Sequence, residues 1–224
     1  MKGLIPAIVC FKGSSWYCYK HKMVMYTGDV LNTAKILSDS DCEEIAIMNL
    51  DHHVPKYILD IPKHITRPIS ISGGINNMED ARRVIRSGFD RIGLTYPFKS
   101  NPGLPEILSK ELGESTLAIN IRPNSSEELN TIFDDIHSKY RASEYIIHDV
   151  ESAGSLNGLS NDFKEIICEL KDDNYALSGG FAGEDFSGFR VYYSTKFMFP
   201  LSQGSSSNSL TKLEKEKFLV STFK

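Results

Sequence analysis

Short runs of β-branched and apolar residues recur along the chain about every 20 to 30 residues, each short enough for a buried strand. They cover residues 4–9, 45–50, 68–72, 91–96, 116–121, 144–150, 175–178 and 189–194. Between most of them, apolar positions fall at i, i+3 or i+4. This spacing predicts helices over residues 29–40, 55–64, 78–87, 104–112, 126–140 and 161–171. Strands that alternate with helices lie parallel and are joined by crossovers, and eight of them favour a closed (β/α)8 barrel over an open sheet. Asn77 and Asn101 precede helical runs as caps, and Gly88 and Gly113 stand where helices end. Only residues 181–188 separate the last two strands, so the seventh helix is expected to be a stub or missing. The polar tract SQGSSSNS, residues 202–209, reads as a flexible linker before a closing helix at 210–219. The expectation is one barrel domain over residues 1–224.

Composition fits that architecture. With 224 residues, 41% of them hydrophobic, the chain can bury one substantial core. Its 25 basic and 29 acidic residues give a net charge of −4 and are spread along the chain, with no footprint for nucleic acid or an anionic membrane. No run approaches the roughly 18 apolar residues of a membrane span, and the start MKGLIPAIVC lacks a secretory signal, so a cytoplasmic location is expected. Cys10, Cys18, Cys42 and Cys168 form no C-x-x-C pair and are expected to be reduced thiols.

Two glycine pairs carry the candidate binding chemistry. The third strand ends in Ser72-Gly73-Gly74-Ile75-Asn76 and runs into a helix whose first turn holds Glu79 and Asp80; the seventh ends in Ser178-Gly179-Gly180. Backbone without a Cβ can approach a phosphate closely, and free N–H groups at a turn point partial positive charge at it. A single pair reads first as a tight turn, but the repeat falls half a barrel apart. Each pair has hydroxyl partners at the end of the following strand, Thr95-Tyr96 and Ser194-Thr195, on the rim where barrels of this kind place function.

The stretch from Arg67 to Thr95, RPISISGGINNMEDARRVIRSGFDRIGLT, resembles the (β/α)8-barrel family of histidine biosynthesis, above all the cyclase subunit of imidazole glycerol phosphate synthase and its sister isomerase. Weaker matches lie at residues 4–6, at Asn101-Pro102, at 144–158 with its loop Gly154-Ser155-Leu156-Asn157-Gly158, and at 178–180. The resemblance implies a barrel that binds a ligand with a phosphate at each end and needs no cofactor. It assigns Gly74, Thr95 and Tyr96 to one phosphate site and Gly154, Gly180, Ser194 and Thr195 to the other, with Ala153 where an aspartate is usual. The family's acid and base, at the ends of strands one and five, are replaced by Val9 and Asn120, and a third aspartate, on strand two, by Asn49. Valine cannot move a proton, and an amide does not titrate near neutrality. The expected function is therefore a phosphorylated-sugar-binding barrel with altered acid–base chemistry, of synthase or sugar-amidating type. The alternative is a non-catalytic relative that binds a phosphorylated metabolite or a partner subunit.

Replacement groups lie near the same rim. Asp51 with His52 and His53, and His148 with Asp149 and Glu151, offer an acid–base set or a metal site; equally, they read as a polar loop and a hydrogen-bonded core histidine. No H-x-H or H-E-x-x-H spacing supports a metal. His148 and Asp51 are the catalytic candidates, with Lys12, Lys20 and Cys10 as further ones. Trp16, the only tryptophan, sits on the segment SSWYCYK, which reads as an aromatic lid or as loop packing. At the other end of the barrel, Glu44, Arg91 and Glu144 start strands at positions where the cyclase family forms a charged ring that admits ammonia from a glutaminase-type partner. Gly3 replaces the fourth member, so the ring is expected to be incomplete and its charges to form surface ion pairs.

Overall fold

The computed structural model describes residues 4–19, 22–40, 42–98, 101–153, 155, 158–168, 170, 174–180 and 189–194. The linker and the expected closing helix at 210–219, the 181–188 connection, Lys20, Gly154 and Thr195 lie outside them. Strand β1 (Leu4–Phe11) is followed by a hairpin, β2 (Ser14–Tyr19) and β3 (Lys22–Asp29), and by α1 (Val30–Ser38). Then come β4 (Ile45–Asn49), α2 (Lys56–Leu59), β5 (Ile69–Ser72), α3 (Met78–Arg86), β6 (Arg91–Thr95) and α4 (Leu104–Leu112). The chain continues through β7 (Leu117–Ile121), α5 (Ser126–Lys139), β8 (Glu144–His148), α6 (Asn161–Cys168), β9 (Tyr175–Ser178) and β10 (Arg190–Ser194). Parallel pairing runs from β1 through β4 to β10, and β10 returns to β1 with Leu4 opposite Val191 and Ala7 opposite Ser194. The sheet is therefore closed: a (β/α)8 TIM barrel with an added hairpin.

Three local expectations are corrected. The helix expected over residues 55–64 stops at Leu59 and resumes as a 3-10 turn, Ile61–His64, because Pro62 lacks the N–H needed to continue the α-helical ladder. Asn77 caps α3 by accepting from the Asp80 N–H, but α4 is preceded by Gly103 with no side-chain cap, so Asn101 does not serve as one. The segment around Trp16 is a strand rather than a loop. The Ser15 hydroxyl donates to the Gly28 carbonyl, accepts from Thr27 and meets Thr33 on α1, and this buried hydroxyl cluster fixes the hairpin to the helix layer.

Period-two alternation sorts the strand residues into two cores. Ile8, Ile47, Ile71, Ile92, Ile119, Ile147 and Leu177 face the helices, where they pack with Ala34, Leu37, Val84, Leu108 and Phe163. Each such side chain contributes about 1.5–3 kcal/mol when fully buried. Ile5, Ala7, Ala46, Ala118, Ile146, Ala176 and Tyr192 face the axis instead.

Below that inner layer the charged ring is complete. Arg190, on the last strand, supplies the cation that Gly3 does not. It pairs with Glu44 and Glu144, both at 2.6 Å, while Arg91 pairs with the same two carboxylates. Glu44 and Glu144 are 5% and 3% exposed, so these are buried pairs rather than surface ones. Burial works against the Arg190 charge, but the facing carboxylates outweigh it and push its pKa up. The Tyr192 hydroxyl donates to Glu144 from above, and burial together with the two carboxylates keeps the phenol protonated. Removing one partner of such a network strands buried charge. Arg190→Ala is expected to lower unfolding free energy by about 3 kcal/mol in urea titration. A loss of under about 0.5 kcal/mol, the scale of an exposed pair, would show that the ring is solvated.

Candidate functional site

A cavity of about 110 Å³ opens at the carboxyl ends of the strands. Its mouth is lined by Asn49, Gly73, Thr95, Asn120, Arg122, His148 and Ser178, and its lower wall by Ala7, Ala46, Ser70, Gly93, Ala118, Ile146 and Tyr192. Among the described residues the lining contains one guanidinium and one imidazole and no carboxylate. In a chain of net charge −4 this is a locally positive pocket. Arg122 lies two residues beyond Asn120, so the alternation of β7 turns both to the same side. It is exposed at the mouth and makes no ion pair with a described carboxylate. Sequence reasoning passed over Arg122; counting forward by two from Asn120 was the signal that finds it.

Val9, Asn49 and Asn120, expected at the positions of the family's acids, are built into the scaffold. Val9 is buried, pairs with Trp16 on β2 and Met48 on β4, and lies outside the cavity lining. The Asn49 amide donates to the carbonyls of Asp51, His53 and Gly73, and its oxygen accepts from the Asp51 N–H. It holds two rim loops together. The Asn120 amide donates to the Ser72 hydroxyl at 3.3 Å and to the Leu94 carbonyl at 3.4 Å. That bridge crosses directly over Gly93, where an added Cβ would collide with Ser72 Oγ.

The glycine turns serve close packing. Gly73 and Gly74 have φ of +92° and +76°, and a Cβ would strike the Asn49 carbonyl in one case and the Asn49 amide and His53 backbone in the other. Gly73 and Thr95 reach the cavity, whereas the Tyr96 hydroxyl donates to Asp135 on α5 at 3.3 Å. In the other half, the Gly180 N–H donates to Ser152 Oγ at 2.9 Å. Ser152 in turn donates to Asp149, which also accepts from the Ser160 N–H and pins the loop after β8. Ser194 ends β10, while Gly154 and Thr195 lie outside the described residues.

The two catalytic candidates are not brought together at the cavity. His148 lines it, with Nδ1 2.9 Å from the Ser178 hydroxyl. Asp51 lies outside the lining and accepts from the Lys12 N–H and, at 2.6 Å, from the Tyr57 hydroxyl. Among the described residues no group of three or more His, Cys, Asp or Glu gathers as a metal site, and no helix is long and apolar enough to cross a membrane. Beside Asp51, Cys10 is turned away from the axis into the outer core, and burial pushes its thiol up to about 11, with the Asp51 charge adding to the rise. Folding thus favours the protonated thiol. This contribution to stability is complete below the ordinary thiol range and is lost as pH rises through about 11. Alkylation of the folded protein at pH 8 should leave Cys10 unmodified until urea is added; rapid labelling of Cys10 in the folded state would contradict its placement.

Comparison with known proteins agrees with this architecture. The family model described as histidine biosynthesis protein matches residues 3–190. An imidazole glycerol phosphate synthase subunit HisF of Pseudoalteromonas translucida is 28% identical over 145 residues, 62% of this chain and 53% of the relative. The match thus spans about half the length of that relative. A HisF subunit of Thermococcus onnurineus is 24% identical over 80% of this chain and 79% of its own. An imidazole-4-carboxamide isomerase of Prochlorococcus marinus is 26% identical over 79% and 77%.

Proposed function

Because the chain belongs to the histidine biosynthesis protein family, we propose that its barrel binds a phosphorylated sugar or a sugar-derived metabolite at the rim and does not run the family's proton transfers through the usual groups. The observation that carries this is the cavity lining, which among the described residues holds Arg122 as its one fixed charge and no carboxylate. A phosphate dianion entering such a site meets a guanidinium, the rim amides and hydroxyls, and no like charge among the described residues of the lining. The contacts we assign to it are Arg122, Thr95 and the turn at Gly73–Gly74, with Tyr96 at the edge. A second phosphate would sit at Gly154, Gly180, Ser194 and Thr195; to take the Gly180 N–H it must displace Ser152.

His148 is the proposed acid–base group, since it lines the cavity and carries an imidazole, the side-chain type most used for proton transfer. Asp51 acts only through Lys12 and Tyr57 in this scheme. The naming of the synthase relatives as subunits supports a partner chain, and we place a glutaminase-type partner on the face bearing the charged ring. A second reading, a non-catalytic binder, is favoured by the structural commitment of Asn49 and Asn120.

Calorimetry with ribose 5-phosphate against ribose tests the proposal. Only the phosphorylated sugar should bind, and Arg122→Met should weaken it at least tenfold, ~1.4 kcal/mol. Equal binding of the two sugars, or no effect of the substitution, contradicts it. Slow turnover of the bound sugar that His148→Asn abolishes supports chemistry at the rim; binding without turnover supports the second reading.

A further inference from the structure

Barrels of this class fill their axis with layers of bulky branched side chains. Here five neighbouring strands break that habit. Ala7 on β1, Ala46 on β4, Ser70 on β5, Gly93 on β6 and Ala118 on β7 are consecutive around the sheet, and all line the cavity. The bulk is on the opposite side, where Ile146 and Tyr192 stand on β8 and β10. The space left is lopsided, open above and closed below. Its floor is Tyr192, whose hydroxyl is tied to Glu144, and beneath that lie the four charges of the ring.

Resting on the phosphate contacts proposed above at Arg122 and Thr95, we propose that, for a ligand carrying a single phosphate, this blind well receives the unphosphorylated end and selects a short, slender, uncharged one. Gly93 and Ala118 lie one inward step below Thr95 and Asn120, two residues or about 6.6 Å of strand. A group attached to a phosphate at the mouth therefore reaches them after about three or four carbons. Capacity agrees with that length. A closed cavity of about 150 Å³ holds one benzene, so 110 Å³ takes a somewhat smaller group. The walls are apolar apart from the Ser70 hydroxyl, and a carboxylate forced among them would lose its hydration without gaining a cation. Arg91 and Arg190 offer none, since both are held by Glu44 and Glu144 on the far side of the floor.

The test compares inorganic phosphate, glycerol 3-phosphate and 3-phosphoglycerate by calorimetry on the full chain. The last two match in length and differ in whether the far end is neutral or charged. Glycerol 3-phosphate is expected to bind at least tenfold tighter than inorganic phosphate, and 3-phosphoglycerate no tighter than inorganic phosphate. Ala118→Val, which narrows the well, should erase the advantage of glycerol 3-phosphate while inorganic phosphate still binds. Ile146→Ala, on the opposite wall, should instead improve binding of the longer erythrose 4-phosphate relative to glycerol 3-phosphate, which keeps the test independent of how Ala118→Val folds. Equal affinity for all three probes, or an unchanged preference in a folded Ile146→Ala variant, overturns the well but leaves phosphate recognition at the mouth standing. Failure of inorganic phosphate and of every phosphorylated probe overturns the proposed function, and the well with it.

Discussion

The hydrogen bonds that join β10 to β1 close the sheet, and closure fixes which alternate side chain of every strand must share the barrel axis. Three levels follow from that constraint and from a residue period of two. The lowest level collects Glu44, Arg91, Glu144 and Arg190, whose charges neutralise one another where water is scarce. Alanine, serine and glycine dominate the next on one side, with Ile146 and Tyr192 on the other. The uppermost presents Ser72, Thr95, Asn120, His148 and Ser178, followed by Arg122. Tyr192 spans two of these levels, flooring the cavity with its ring while its hydroxyl bonds to Glu144.

In the proposed function, recognition of an anion and proton transfer separate at this rim because they call on different groups. A phosphate is held by a fixed cation, amide hydrogens and hydroxyls, which many residue types supply. Proton transfer depends on one or two titratable side chains at set positions. By sequence, Val9, Asn49 and Asn120 are expected at the positions of the family's acids. In the structure Asn49 ties the loop after β4 to the turn after β5, and Asn120 bridges to Ser72 across Gly93. Substituting either asparagine would disturb contacts that hold the mouth in shape. His148, with Ser178 against its Nδ1, is the imidazole in the described lining.

Much of the scaffold was legible in the sequence because barrel strands and helices announce themselves by period. All eight barrel strands fell on apolar runs, and α4 matched its spacing to the residue. The hairpin was not legible, since Ser14–Tyr19 and Lys22–Asp29 interleave polar, aromatic and aliphatic residues, and the Ser15 hydroxyl cluster that ties them to α1 leaves no periodic signal. Arg190 was missed because a charge ring is closed in space, and its neighbours Glu44 and Glu144 lie 146 and 46 residues away in sequence. The glycine pairs were legible as turns, but only coordinates show that Gly73, Gly74 and Gly180 are shaped by the approach of Asn49, His53 and Ser152. Asp51 looked equivalent to His148 in sequence; the hydroxyl of Tyr57 and the N–H of Lys12 draw its carboxylate to a different place.

The central claim is that the barrel mouth is an anion receptor organised around Arg122. A crystal structure of the protein soaked in phosphate tests it most directly, because it reads position rather than affinity. The account predicts an anion in contact with the Arg122 guanidinium, bounded by Thr95 and the Gly73 turn. An empty mouth at saturating phosphate, or an Arg122 side chain folded away onto a carboxylate with the anion bound elsewhere, would contradict it.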